Sequence, residues 1–368
     1  MGFNYFVLWA SFLTSFVLAL AFTPLAIWLA PKIGAMDVPK DERRVHDKPV
    51  PRFGGMAIFI GIMASTLIFI MPAFIPGKSI EGILIGGVLI YIFGVVDDLW
   101  DISPKLKFLG QFICACIVYA SGIRLNFIND FLGGNDLIFG SAAAFLVTVL
   151  WIVGITNAVN LVDGLDGLAA GIAAIASLCI AYAGYIHGHY VATTAMLAVA
   201  GGALGFLPYN FHPAKTFMGD SGSQLLGFCL ATFSLIQPVK SATVVAVAIP
   251  ALVLGLPIFD TAFAILRRVI RRQSIVVADK EHLHHRIMRA GFGQRRSVMI
   301  MYCISGIMGV MAVEYSRHYM VECLGLLAIA VMLLYVLLSD TSNKKIEINA
   351  VNIRKKENKE NKEKKHNK

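Results

Sequence analysis

Apolar runs separated by short polar breaks organise the whole chain. Runs at 5–30, 54–75, 82–96, 107–124, 141–158, 168–187, 191–209, 222–237, 242–266, 298–314 and 321–338 predict eleven helices, since a membrane-spanning helix needs roughly 20 apolar residues. The predicted fold is all-α, a polytopic membrane bundle over residues 1–338 with a polar tail at 339–368. From Lys344 onward that tail is mostly Lys, Glu and Asn, a composition that cannot bury a core and predicts disorder. The polar breaks fall on alternate faces. One face receives 31–53, 97–106, 159–167, 210–221, 267–297 and the tail. The other receives the amino terminus and the linkers near 76–81, 125–140, 188–190, 238–241 and 315–320.

Composition agrees with a membrane location. Of 368 residues 57% are hydrophobic and 15% charged, where soluble domains carry about one quarter charged residues. Mean hydropathy is +0.71. Residues 1–31 contain no charged side chain, so the basic n-region of a signal peptide is missing and the first run reads as a spanning helix. Charge then orients the bundle. Of 32 Lys and Arg residues, 28 belong to the first face and its adjoining helix ends, which makes that face cytoplasmic. The amino terminus is expected outside and the carboxyl terminus inside, as an odd span count requires. The basic excess is assigned to the membrane surface, with no nucleic-acid partner. Six cysteines lie in apolar runs without CxxC spacing and read as small core residues.

The acids are less ordinary. Asp97, Asp98, Asp101, Asp163, Asp166 and Asp220 all fall at helix ends or short loops of the predicted cytoplasmic face. A carboxylate at bilayer depth is costly unless paired, solvated or bound to a cation. Any one of them reads equally well as a loop residue, but three acidic breaks on one face predict a shared polar cavity. Their surroundings sharpen that. In YIFGVVDDLWDISPKLK the adjacent Asp97 and Asp98 precede Lys105 and Lys107; in NAVNLVDGLDGLAAG glycines follow Asp163 and Asp166; in NFHPAKTFMGDSGSQ glycines bracket Asp220. Acids grouped with lysines and flexible glycines suit a divalent cation and a diphosphate, because Mg2+ takes one or two carboxylates and fills its shell with water and phosphate oxygens.

The longest cytoplasmic loop, within 267–297, adds basic residues, among them Arg268, with His282, His284 and His285 in HLHH. That triplet departs from the HExxH zinc pattern. Donation to a sugar diphosphate fits the neighbouring acids better, although arginines here also suit an anionic lipid surface. His187 and His189, on the outer face, and His46 receive no role. Asp260 reads as orienting Arg268 or a helix end as readily as entering catalysis. A secondary transporter is the rival class, with many spans and midplane acids; these acids instead cluster at one face, and no internal repeat is visible.

Five motifs in order, PRFGG (51–55), the DD pair (97–98), NAVNLVDGLDGLAAG (157–171), NFHPAKTFMGDSGS (210–223) and LPIFDT (256–261), followed by HLHHRIMRAGF (282–292), give the chain a family likeness. It resembles the polyprenyl-phosphate N-acetylhexosamine-1-phosphate transferases, integral membrane enzymes that start bacterial cell-envelope glycans. HLHH in place of three consecutive histidines is similar to the branch that uses UDP-N-acetylglucosamine, including teichoic-acid-initiating members. The sister branch uses phospho-MurNAc-pentapeptide, and that donor is the alternative.

The resemblance implies that undecaprenyl phosphate attacks the β-phosphate of UDP-GlcNAc at the cytoplasmic interface, releasing UMP, with Mg2+ (or Mn2+ in its place). It implies Asp220 as a metal ligand, with Asp97 and Asp98 helping to hold metal and lipid phosphate. Asn160, Asp163 and Asp166 would line the nucleotide pocket, Asp166 facing uracil. Asn210 and Phe217 would complete it, with Phe217 stacking on the base. Lys105 or Lys107 would neutralise phosphate oxygens, and Arg268, His282, His284 and His285 would bind the diphosphate and amino sugar. Arg52 stands where some relatives carry Lys. Membrane lipids surround the enzyme, and a homodimer follows by analogy only.

Overall fold

The computed structural model describes residues 5–39, 48–72, 79–128, 137–236, 251, 287–288, 292–317, 319, 322–330 and 332. The predicted run 242–266 with Asp260, apart from position 251, the part of the following loop that carries Arg268, His282, His284 and His285, and the tail lie outside these residues. Bounded helices among them are α1 (Tyr5–Ile33), α2 (Gly55–Ser65, widening into a π turn at Thr66–Ile70), α3 (Glu81–Trp100), α4 (Pro104–Ala120), α5 (Ser141–Val162), α6 (Leu168–Ile186), α7 (Tyr190–Asn210), α8 (Gly219–Ser234) and α9 (Gln294–Ser316). Six of them, α1, α3, α5, α6, α7 and α9, are long and apolar enough to cross a membrane. The chain is a multi-pass helical membrane protein.

Several helices reach further into the polar breaks than hydropathy predicts, while α2 and α4 stop short of their predicted carboxyl ends. α3 continues through Asp97 and Asp98 to Trp100 and stops where Asp101 turns left-handed at φ 50°. Ser103, in extended conformation, and Pro104 at the first helical position then start α4. α5 runs through Asn160 to Val162, so that Asp163 terminates it. An acid in a last turn ends an apolar run without ending a helix, because backbone hydrogen bonding continues while the side chain finds a partner elsewhere. Two short antiparallel pairs were not foreseen. β1 (Met36–Asp37) pairs with β2 (Val50–Pro51), Met36 opposite Pro51; β3 (Phe127–Ile128) pairs with β4 (Leu137–Ile138). Two residues are too few for alternation to register.

The centre of the bundle is α8. Each of its residues is buried, and α2, α3, α5, α6 and α7 all pack on it. Small residues allow that approach. A Cβ on Gly94 of α3 would stand 2.4 Å from Ser221 Cα, and one on Gly55 of α2 would stand 2.4 Å from Gly222 N. Inside a membrane, close backbone packing supplies the attraction that apolar burial supplies in water. Phe206, Phe228 and Phe233, all with no exposure, fill the space around this axis.

Candidate active site

Two sequence-distant motifs meet at the start of α8. Phe217 N–H donates to Pro51 O (2.8 Å), Gly54 N–H to Phe217 O (2.9 Å) and Gly55 N–H to Met218 O (2.9 Å). Thr216 Oγ1 donates to Pro51 O at 2.9 Å. PRFGG and TFMG are thus laced together by backbone bonds, which carry Arg52 to the first turn of α8.

Asp98 arrives from α3. Its Oδ1 accepts the Asp220 N–H at 2.7 Å and its Oδ2 accepts the Ser221 N–H at 3.0 Å. The first N–H groups of a helix have no partner of their own and carry its positive dipole end, so Asp98 is the anionic cap of α8. Gly219 makes this geometry available: it adopts φ +71°, and a Cβ there would lie 2.3 Å from Asp98 Oδ2.

Asp220 then faces two cations. Arg52 Nη2 contacts its Oδ1 at 2.6 Å while Arg52 Nε contacts Asp98 Oδ1 at 3.1 Å. Burial works against the charge on Arg52, but Asp98 and Asp220 outweigh it and hold its pKa above the ordinary value. Lys107 Nζ bonds Asp220 Oδ2 at 2.9 Å and also meets Asp97 Oδ2. Asp97 Oδ1 accepts the Ile102 N–H at 2.9 Å, which fixes the α3–α4 turn. Of the two candidate lysines the structure brings in Lys107; Lys105 is exposed.

Asp163, half-buried at the end of α5, adds a fourth carboxyl. Burial, reinforced by the charge on Asp220, pushes its pKa up to about 7. The folded protein holds this proton more tightly than the unfolded chain, so stability falls as pH rises from the ordinary carboxyl range toward 7 and stays lower above it. Asp163→Asn should therefore raise the Tm of the metal-free protein in detergent by a few degrees at pH 8. At pH 5, where the carboxyl is already neutral, it should change little, and thermal melts at the two pH values would check this.

Four carboxylates around two cations leave an excess of negative charge. Asp97 and Asp220 also converge on one ammonium, each offering an oxygen to it. That donor set suits Mg2+, which keeps water and phosphate oxygens beside one or two carboxylates. Asp98, expected as a further ligand, has Oδ1 on the Asp220 N–H and Arg52 Nε and Oδ2 on the Ser221 N–H.

The remaining predicted residues form an adjoining wall. Asp166 Oδ2 takes His212 Nδ1 at 2.7 Å and the Ala214 N–H at 3.1 Å. Asn210 Oδ1 accepts the Gly167 N–H (3.1 Å) while its Nδ2 donates to Thr216 O (3.0 Å). Asn160 Nδ2 donates to Ser223 Oγ at 2.8 Å. Phe217, partly buried, lies between Thr216 and Met218 in the laced segment. Arg295 at the start of α9 donates to His212 O (2.8 Å), and Tyr302 Oη donates to Gly167 O (2.5 Å). Sequence reading missed His212, Arg295 and Tyr302. His212 sits inside a quoted motif, two residues from Asn210, but nothing in its spacing names Asp166 as its partner.

Comparison with known proteins places this arrangement. The model of Glycosyl transferase family 4 matches residues 80–237. The chain is 40% identical over 304 residues to a probable undecaprenyl-phosphate N-acetylglucosaminyl 1-phosphate transferase of Bacillus subtilis, covering 82% of this chain and 83% of the relative. It is 36% identical over 304 residues to a decaprenyl-phosphate N-acetylglucosaminephosphotransferase of Mycobacterium tuberculosis, covering 76% and 75%. Against the undecaprenyl-phosphate alpha-N-acetylglucosaminyl 1-phosphate transferase of Escherichia coli K12 it is 28% identical over 303 residues, 80% of each chain.

Proposed function

The chain belongs to Glycosyl transferase family 4, and we propose that it transfers N-acetylglucosamine-1-phosphate from UDP-GlcNAc to undecaprenyl phosphate, releasing UMP. The observation that carries this reading is the clasp of Asp220 between Arg52 and Lys107 at the capped terminus of a buried helix.

One oxygen of the lipid phosphate attacks the phosphorus bearing the sugar. The bond from that phosphorus to the bridging oxygen breaks, and UMP leaves with the bridging oxygen. No strong base is needed, since a phosphate monoester is already largely ionised near neutral pH. The difficulty is that two anions must meet. Arg52 and Lys107, already ordered on Asp220, offset that repulsion without having to reorganise. Asp97 and Asp220 are the residues that would hold Mg2+, which would supply charge neutralisation to the phosphates. Asp98 keeps Asp220 in place. Asn160, Asp163, Asn210 and Phe217 belong to the nucleotide side, where Asp166 Oδ1 is the atom for uracil.

The finer topology is part of the same proposal: eleven spans, amino terminus outside, tail inside and active face toward the cytoplasm. Its support is the Lys and Arg excess on the face that carries Arg52, Lys107 and the acids. The lipid stays in the membrane and the nucleotide in water, so the reaction belongs to the interface. The product would feed wall teichoic acid or another envelope polysaccharide, and the working assembly is a homodimer by analogy with the family. Purified protein in detergent should release UMP from UDP-GlcNAc only with polyprenyl phosphate and Mg2+ both present, and EDTA should stop the release. UMP release without the lipid, or a phospho-MurNAc-pentapeptide donor preferred over UDP-GlcNAc, would overturn the assignment.

A further inference from the structure

Behind Asp220 the bundle holds three side-chain amides where apolar residues would pack more cheaply. Asn157 Nδ2 of α5 donates to Gln111 Oε1 of α4 at 2.5 Å. Gln111 Nε2 donates to Gln224 Oε1 of α8 at 3.1 Å. Gln224 Nε2 approaches Asp220 Oδ2 at 3.5 Å. Gln111 is 3% exposed and Gln224 2%. Gln111 Nε2 also reaches Asn157 Oδ1 at 3.4 Å, so Asn157 and Gln111 form a reciprocal amide pair, and donors lead from Gln111 through Gln224 toward the acid. The spacing explains the stack: Gln111 lies one helical turn below Lys107, and Gln224 one turn below Asp220, and i,i+4 residues share a helix face. Two pairs of facing side chains on α4 and α8 therefore meet at two successive levels, ion pair above and amide pair below. Asn157 closes the lower level from α5, anchored by a second bond from its Nδ2 to Val153 O at 2.8 Å.

Polar groups inside a membrane bundle are costly and are usually retained for a function. Simple helix adhesion is a poor reason here, because interhelical hydrogen bonds in membranes add little stability. We propose that Gln111, Gln224 and Asn157 are positioning residues: they set the orientation of Asp220 from behind while Lys107 and Arg52 hold it from the front. The relay rests on the reading of Asp220 as the acid that holds metal and faces phosphate. Its effect falls on the chemical step, because none of the three amides belongs to the wall assigned to the nucleotide.

The test is the double variant Gln111→Leu/Gln224→Leu, which removes both inner amides together and leaves Asn157 its bond to Val153. Expected is a folded protein with metal-free Tm near that of the parent and a kcat lowered about 10- to 100-fold, as for a small misplacement of a reacting group. KM for UDP-GlcNAc should stay within about threefold, and the Tm rise produced by Mg2+ alone should shrink. A kcat within about twofold of the parent, or a fall in Tm with kcat and KM failing together, overturns the relay. Should the double variant not fold, Gln224→Asn shortens the reach toward Asp220 while keeping an amide, and the same split between kcat and KM decides. Asp220→Asn separates the two readings. If it stays active, the role of Asp220 falls. If it is dead while the amide variants remain fully active, only the relay falls.

Discussion

Asp220→Asn should lower turnover by about a thousandfold or more while the protein stays folded in detergent. Asparagine matches the size of aspartate but offers one acceptor oxygen where the native residue supplies two. Oδ1 is engaged by Arg52 and Oδ2 by Lys107, so the amide would turn an N–H toward one of those cations. Some stability should be lost, because Arg52 and Lys107 each give up part of an ion pair, but the buried helix that carries the residue should keep the protein folded. The measurement pairs a UMP-release assay with size-exclusion elution and a thermal melt. Retained turnover would take Asp220 out of the metal and phosphate role.

Gly219→Ala should act on stability and activity together. At φ +71° an L-residue costs roughly 1–2 kcal/mol. The new methyl would also lie 2.3 Å from Asp98 Oδ2, so the carboxylate must withdraw from the helix terminus. Losing a cap of this kind costs about 0.5–2 kcal/mol. The combined effect should lower Tm by several degrees and turnover by at least about tenfold. Gly293→Ala is the control, since that glycine sits at φ −65° with open space where a Cβ would go. It should leave turnover unchanged and cost only a few tenths of a kcal/mol as the N-cap of α9. A Gly219→Ala protein that melted and turned over like the parent would show that Asp98 is not the cap on which Asp220 depends.

Much of this site was legible from residue order alone. Hydropathy located the helices well, because lipid exposure forces long apolar runs; α6, predicted at 168–187, is found at Leu168–Ile186. The grouping of Asp97, Asp98, Asp163 and Asp220 followed from their shared face. What stayed hidden depends on direction and pairing. Asp97 and Asp98 are adjacent, yet successive helical residues point about 100° apart, and they serve different ends: one joins Lys107, the other caps α8. Lys105 and Lys107 looked interchangeable until the helix start at Pro104 set which one faces inward. Arg52 belongs to the site only because PRFGG pairs with TFMG across 165 residues of chain, between Pro51 and Thr216, a register that no local pattern encodes. Gln111 and Gln224 carried a signal, one turn from Lys107 and Asp220, but it becomes readable only once those two residues are known to meet.

The complete burial of α8 also bears on how the protein is made. Its first two turns carry Asp220, Ser221, Ser223 and Gln224, polar and charged side chains that weaken insertion of so short a segment. Such a segment is a weak membrane entrant on its own. α2, α3 and α5 emerge from the ribosome earlier and offer the glycine-lined recess, the Asp98 cap and the Asn160 contact that receive it. Biogenesis of the bundle is therefore expected to be sequential: the segment that bears Asp220 is retained once α2, α3 and α5 are already in the bilayer to accept it.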